Sequence, residues 1–436
     1  DANTTGASLV AIGVNALGGN TTGSSNVGIG VDALNANTTA ANNTAVGTSA
    51  MAANTEGTRN NALGSISLDA NTTGSYNNAF GYNSLGSNTT GEDNVAMGDN
   101  AMADNTTGDK NTAFGTSSLA NNTTADNNTA IGYAALNVNT TGAQNTAVGR
   151  LALDANTTAA DNTAIGNAAM TASTTGASNT SVGAGSMRDN TTGGDNTAVG
   201  FNALDANTTA SDNTAVGSSA LGSNTTGAGN IAMGNSSGGA ITTGGTNTCL
   251  GRSAGDAITT GFNNICVGAT TDVASATASY QYVLGHGITS AANTFSFGQS
   301  GSVVSNVFTT NASWARSSDK RKKTNIEPTD LGLNFINELR PVTFNWKDSS
   351  EFPEGFKDKD IAEMNTETNL YGMIAQEVKA AMDKVGHENF GGWSEDDDGS
   401  QKLSQEMFIY PLIKAVQELS TQVDELKQEL LALKGE

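Results

Sequence analysis

The chain has 436 residues, with 52 Gly, 4 Pro, 5% aromatic and 14% charged residues and a formal net charge of −22, whereas ordinary domains carry roughly 25% charged residues. Such an acidic surface repels phosphate backbones, and no apolar run reaches the roughly 18 residues of a membrane-spanning helix, so neither nucleic acid nor a membrane span is expected. Two Cys and two His leave little material for a metal site, and neither a metal nor a cofactor is expected.

The first residue is Asp1 and a repeat is already in phase at Asn3, which reads as the middle or mature end of a longer product, with any signal or attachment segment missing. Asn-Thr-Thr or a close variant recurs from residue 3 to residue 258 in sixteen copies, each 17 residues from the last, without insertion. The consensus is N-T-T-[G/A]-x-x-N-x-A-φ-G-x-x-[A/S]-[L/M]-x-x, where φ is apolar. The second position is always Thr, the tenth always apolar and the eleventh always Gly, as in Val148 and Gly149. The seventh is Asn except at Leu9, and the fifteenth is Leu or Met through Leu221 before it becomes Gly at Gly238 and Gly255.

A helical repeat needs an apolar stripe with a period of about 3.6 residues, which a unit with an obligatory Gly does not supply. Short extended runs punctuated by Gly and Asn predict instead one coil of a parallel β-solenoid. Each residue then stacks on its counterpart in the next coil at roughly 4.8 Å, and the shaft is roughly 77 Å long. Ranks of Asn hydrogen-bond amide to amide along such a stack. Gly permits a positive φ or a close backbone approach where the coil turns. Ala at position nine and the larger apolar group at ten are expected to fill a narrow interior. So thin a core is not closed by one coil alone, and several chains are expected to share one interior along the axis.

These recurring "NTAVG…AL" phrases resemble the Gly-rich repeats of trimeric autotransporter adhesin heads and of bacteriophage tail-fibre and related surface proteins. The resemblance covers residues 1 to 268 and implies a homotrimeric β-roll or an intertwined β-helix. Twelve of the Asn-Thr-Thr triplets satisfy the N-glycosylation pattern, but an inward or turn Asn ladder explains the fixed spacing and glycosylation does not. Adjacent Thr residues in a strand point to opposite sides, giving one rank per face and not the paired array of an ice-binding surface. The calcium-binding phrase G-G-x-G-x-D is absent. Cys249 and Cys266 share position nine, and stacking puts their Cα atoms roughly 4.8 Å apart, inside the disulfide range. Two small buried thiols in place of Ala are the competing reading.

At Ala269 the rhythm of the sequence stops, and residues 269–316 read as a β neck in which the solitary His286 is structural. All four Pro and fifteen of the twenty Lys and Arg lie after residue 268. Here "SSDKRKKTNIEPTDLGLNFINELRPVTFNWK", Ser317 to Lys347, is followed by "YGMIAQEVKAAM", Tyr371 to Met382. Together with a terminal helix, these phrases resemble the endosialidase-type intramolecular chaperone domain at the C-terminus of phage tailspikes and tail fibres, over about residues 317 to 436. The signature S-D-x-R-x-K falls on Ser318, Asp319, Arg321 and Lys323. The resemblance implies that Ser318 and Lys323 form a catalytic cleavage dyad, supported by Asp319 and Arg321, which cuts the chain at or next to Ser318 after the trimer has folded.

On residue chemistry alone, a Ser hydroxyl is a weak nucleophile until a base takes its proton. A Lys serves only where burial or nearby positive charge keeps its amine neutral. Arg321 and Lys322 are placed to supply that charge, and a solvated basic linker is the plain alternative. The chain is thus at most a single-turnover Ser-Lys autopeptidase with no external substrate, since the repeats lack the paired carboxylates of a glycosidase.

Ile409, Leu412, Val416, Leu419, Val423, Leu426, Leu430 and Leu433 alternate steps of three and four, a heptad seam. β-Branched residues at three of the four a positions with Leu at every d position lean towards dimers in isolated coils, whereas the resemblance implies trimers. "SEDDDGS", Ser394 to Ser400, reads as an exposed acidic turn in preference to a cation loop.

The expected fold is mainly β: a trimeric parallel β-solenoid or β-roll shaft over 1–268, a neck over 269–316, and a small α+β chaperone domain over 317–436 with a coiled-coil helix from about residue 405. Such a chain implies a homotrimeric structural fibre of a virion tail or cell surface, extracellular, whose partners are its own copies and a host-surface glycan or receptor. The alternative is an adhesin whose shaft itself binds glycans.

Overall fold

The computed structural model describes residues 2–291, 294–307, 315–316, 318, 320–355 and 366–435. The chain divides into two compact units, residues 1–317 and 318–436. In the first, each repeat makes one coil, and each coil contributes one three-residue strand, from β1 (Val10–Ile12) to β16 (Ile265–Val267). Consecutive strands pair in parallel at a constant offset, with Ala147 beside Ala164 and Val148 beside Ile165. The turns are tied to the next coil as well: the Leu136 N–H donates to the Ala152 carbonyl at 2.9 Å, and the Thr140 N–H to the Thr157 carbonyl at 2.9 Å.

The invariant Gly at position eleven answers two demands at once. Gly149 has a φ of +137°, and a Cβ there would lie 2.3 Å from the Gly166 carbonyl oxygen, so both conformation and space exclude a side chain. Positions thirteen and fifteen also turn left-handed without being Gly, as Leu151 (φ 55°) and Leu153 (φ 53°) do. That conformation costs roughly 1–2 kcal/mol per residue. At position fifteen it aims Leu153 inward, where the side chain is fully buried, and burial of a Leu contributes about 1.5–3 kcal/mol. Packing therefore offsets the strain.

The interior corrects one expectation. Ala147 at position nine, Ala152 at fourteen and Leu153 at fifteen are all fully buried, and their counterparts form one continuous column. The tenth residues face outward, with Phe114 52% and Ile131 39% exposed. Neighbours in an extended strand point to opposite sides, so nine and ten cannot both be inside. Position fifteen supplies the bulk from the corner instead. The core is closed by one chain's own side chains, which also corrects the expectation of an interior shared between chains.

The backbone rhythm outlasts the motif. β17 (Tyr282–His286) pairs with β16 at the same offset, Ile265 beside Tyr282. β18 (Thr294–Gln299) then pairs in parallel after a shorter step, Tyr282 beside Phe295. β19 (Ser302–Val307) turns back antiparallel on β18, and β20 (Ala315–Arg316) pairs antiparallel with β19. His286 is exposed at the end of β17.

The second unit contains α1 (Leu333–Glu338), β21 (Val342–Phe344), β22 (Leu370–Gly372), α2 (Ala375–Lys384), β23 (Trp393–Glu395), β24 (Gln401–Leu403) and α3 (Ile409–Lys434). The antiparallel pair β21–β22 brings "RPVTFNWK" against "YGMIAQEV". Leu331, Phe335, Val378, Met382 and Phe408 form the core. Phe390 stands edge-on to Phe335 and Phe408, with ring centroids at 5.6 and 5.0 Å. α1 starts at Gly332 without a side-chain cap of its own. Glu418 of α3 supplies one, its Oε2 accepting the Leu333 N–H at 2.7 Å. That bond, with help from Lys414, holds the Glu418 carboxyl below its ordinary value. "SEDDDGS" runs from the end of β23 through the turn of the β23–β24 hairpin, where the Asp396 N–H donates to the Ser400 carbonyl at 2.9 Å and Asp396 pairs with Lys402. Among the described residues no helix is long and apolar enough to cross a membrane.

Candidate functional site

Two residues five apart in an extended chain lie about 17 Å from each other, so the spacing of Ser318 and Lys323 does not by itself bring them together. A 3-10 turn, Lys320–Lys322, does. It is closed by the Lys323 N–H donating to the Lys320 carbonyl at 3.1 Å, and Lys323 Nζ then donates to Ser318 Oγ at 2.7 Å. Arg321 lies within the turn, between Lys320 and Lys322. Asp319 lies outside the described residues. Ser318 and Lys323 are both exposed. With the amine as donor and the hydroxyl as acceptor, the proton movement needed for attack is the reverse of the bond observed.

Each unit also carries an apolar surface of its own. On α3, the eight seam residues from Ile409 to Leu433 are 41% to 85% exposed. On the solenoid, the position-ten residues form an outward rank that continues past the repeats through Leu284 and Phe297. Large apolar side chains in continuous exposed files mark interaction surfaces.

The polar ranks are structural. At position one, Asn139 Nδ2 donates to Asn122 Oδ1 at 3.1 Å and to the Gly142 carbonyl at 2.9 Å. At position seven, the Asn145 N–H donates to Asn128 Oδ1 at 2.9 Å while its Nδ2 reaches the Ala159 carbonyl at 2.9 Å. Thr140 Oγ1 at position two donates to the Thr157 carbonyl at 3.0 Å. From Asn37 to Asn224 the position-one Asn side chains are fully buried, so these triplets are ladders and not accessible glycan acceptors. The first ladder breaks at Ser173, leaving Asn156 Oδ1 and Ser173 Oγ without partners.

Cys249 and Cys266 are buried free thiols in register on adjacent coils. Their mutual hydrogen bond, followed by burial, pushes the Cys266 thiol well up. A change nearby goes beyond the motif. Where position fifteen becomes Gly238 and Gly255, position one of the next coil becomes Ile241 and Ile258, both fully buried. A Cβ on Gly238 would lie 3.0 Å from Ile241 Cδ1 and 3.1 Å from Leu221 Cδ2, so the Ile occupies the volume the Leu gives up. The signal in the sequence is the coincidence of the two exchanges, twice in succession.

A one-strand-per-coil β-solenoid followed by a small α+β unit with an exposed heptad helix defines a fibre-like structural protein. Residues 318–387 match the family model described as chaperone of endosialidase. Searches of the curated proteins and of the solved structures found no match. The chain is a fibre-like structural protein whose C-terminal unit carries the match to the endosialidase-type intramolecular chaperone.

Proposed function

We propose that the protein is a homotrimeric fibre of a virion tail, extracellular, whose C-terminal domain assembles three chains in register and then self-cleaves at or next to Ser318. The exposed heptad seam of α3 carries this reading: Leu412, Leu419 and Leu426 are 50% to 63% exposed in the single chain, and such a seam is stable only against other helices. Three copies, not two, is what the resemblance to adhesin heads and tail fibres implies. Stacking within each chain is fixed covalently, so the register problem lies between chains. The position-ten rank offers nearly equivalent apolar contacts at every slip of one coil, roughly 4.8 Å. An aligned C-terminal trimer removes those slipped pairings before the shafts meet. Cleavage follows completed folding, and loss of the domain then makes assembly kinetically irreversible.

The test pairs mass with cleavage. Light scattering of Ser318→Ala, which should stay uncut, should give three times the 44.0 kDa chain mass; the wild type should give a trimer of shortened chains, and Leu419→Asp with Leu426→Asp should give an uncut monomer. A monomeric wild-type chain would sink the assembly reading, and an uncut wild-type trimer the cleavage reading. A second reading, a shaft that itself binds glycans, draws on Tyr82, Tyr133 and Phe201, which share position twelve and are 53% to 58% exposed. Their replacement by Ser should abolish retention on immobilised host glycans if that reading holds.

A further inference from the structure

We infer that the solenoid nucleates at its C-terminal end, in residues 238–307, and that the consensus coils are added onto it one after another towards the N-terminus. Coils 2 to 13 are nearly interchangeable: each buries small residues at nine and fourteen, a Leu or Met at fifteen, and its two ladder positions. Forming one of them from open chain means closing a loop of a whole repeat for three residue pairs, and its thin core closes only against a neighbour. No consensus coil has an advantage as a starting point.

The last coils differ in every respect that favours early closure. β18 and β19 pair over six residues across a turn of only Ser300 and Gly301, where Gly301 has a φ of +85°, and a tight hairpin is among the fastest non-helical structures to form. β17 then docks on β18 over five pairs, where the consensus strands have three. The apolar content rises in the same place. Ile241 and Ile258 replace buried Asn, and Val273, Val283 and Ile288 join the column. Among the described residues, the ring contacts of the solenoid also gather here: Phe262 with Tyr280 at 5.3 Å, Tyr282 with Phe295 at 6.4 Å and Phe295 with Phe297 at 6.1 Å. Beyond β18 the sheet turns antiparallel, so a preformed edge able to accept further parallel coils faces only towards the N-terminus.

The chain carries its own reporters. Cys249 and Cys266 are the two cysteines it has, and both are fully buried in this zone. In refolding of the full-length chain from denaturant, iodoacetamide pulses should find both thiols protected at least about tenfold sooner than amide hydrogen-exchange pulses find protection in residues 27–131. The double variant Gly238→Leu with Ile241→Asn, which restores the consensus, should slow shaft formation about tenfold, whereas Leu85→Ala in coil 5 should alter the folding rate less than about twofold and mainly speed unfolding. Simultaneous protection, protection of residues 27–131 first, or an equal slowing by Leu85→Ala would overturn the inference. Should the double variant not fold, the order of protection in the wild-type chain decides alone.

Discussion

Ser173→Asn should stabilise the shaft. On either side of this position the ladder is intact, with Asn156 Nδ2 on Asn139 Oδ1 at 2.7 Å and Asn207 Nδ2 on Asn190 Oδ1 at 2.8 Å. The backbone hydrogen bonds of the coil continue through the break, since the Thr174 N–H reaches the Thr191 carbonyl at 2.9 Å. An Asn at 173 would donate to Asn156 Oδ1 and to the Gly176 carbonyl, and would accept from Asn190 Nδ2. Three hydrogen bonds contribute about 0.5–1.5 kcal/mol each, and a buried acceptor without a partner costs about 1–3 kcal/mol before it is satisfied. Ordering the longer side chain costs roughly 1 kcal/mol. The balance favours the variant by about 1.5–6.5 kcal/mol, and Asn122→Ser, which opens an equivalent break, should lose a similar amount. Because a repeat array need not unfold as one unit, the measurement is native-state hydrogen exchange over residues 156–196. If Ser173→Asn exchanges as fast as the wild type or faster, the amide ladder is not the source of stability claimed for it.

Gly149→Ala should destabilise coils 9 and 10 by at least about 3 kcal/mol, through left-handed strain and the collision with the Gly166 carbonyl; exchange rates that match the wild type would refute the close approach. Glu418→Ala should weaken the C-terminal unit in a pH-dependent way. The carboxyl is held below its ordinary value of 4.5 in the fold, so its contribution is present above that pH and fades as the pH falls through the depressed folded value. Urea unfolding followed by Trp fluorescence should show the gap between wild type and variant closing below about pH 4.5, and a gap independent of pH would remove Glu418 from its capping role.

The solenoid was legible because an unbroken period of 17 residues admits one simple stack, and each invariant had a local reason to exist. Val148 and its counterparts were misplaced because apolarity was equated with the interior; the alternation that argues against paired Thr ranks applies equally to Ala147 and Val148 and puts only the first inside. Leu153 could not be assigned to the core from a period-two pattern, since a left-handed corner and not a strand delivers it there. The contact between Ser318 and Lys323 depends on a 3-10 turn that a basic run does not advertise. Glu418 was beyond reach altogether, because its partner Leu333 is 85 residues away.

The Asn columns have a direction. At position one the Oδ1 is turned towards the following coil and accepts from the next Nδ2, as Asn122 Oδ1 does from Asn139, whereas at position seven the Nδ2 also donates forward, as Asn145 does to the Ala159 carbonyl. A position-one column cut across therefore exposes unlike faces, amide donors on one and bare oxygens on the other. The stops within the chain show this: where the position-one rank meets Ser173 or Ile241, the amide atom left without a partner is each time an oxygen, on Asn156 and on Asn224. Two such shafts brought tip to tip would set like against like in one orientation and complementary groups in the other. Head-to-tail is the sense in which the position-one amide columns of separate solenoids can be spliced.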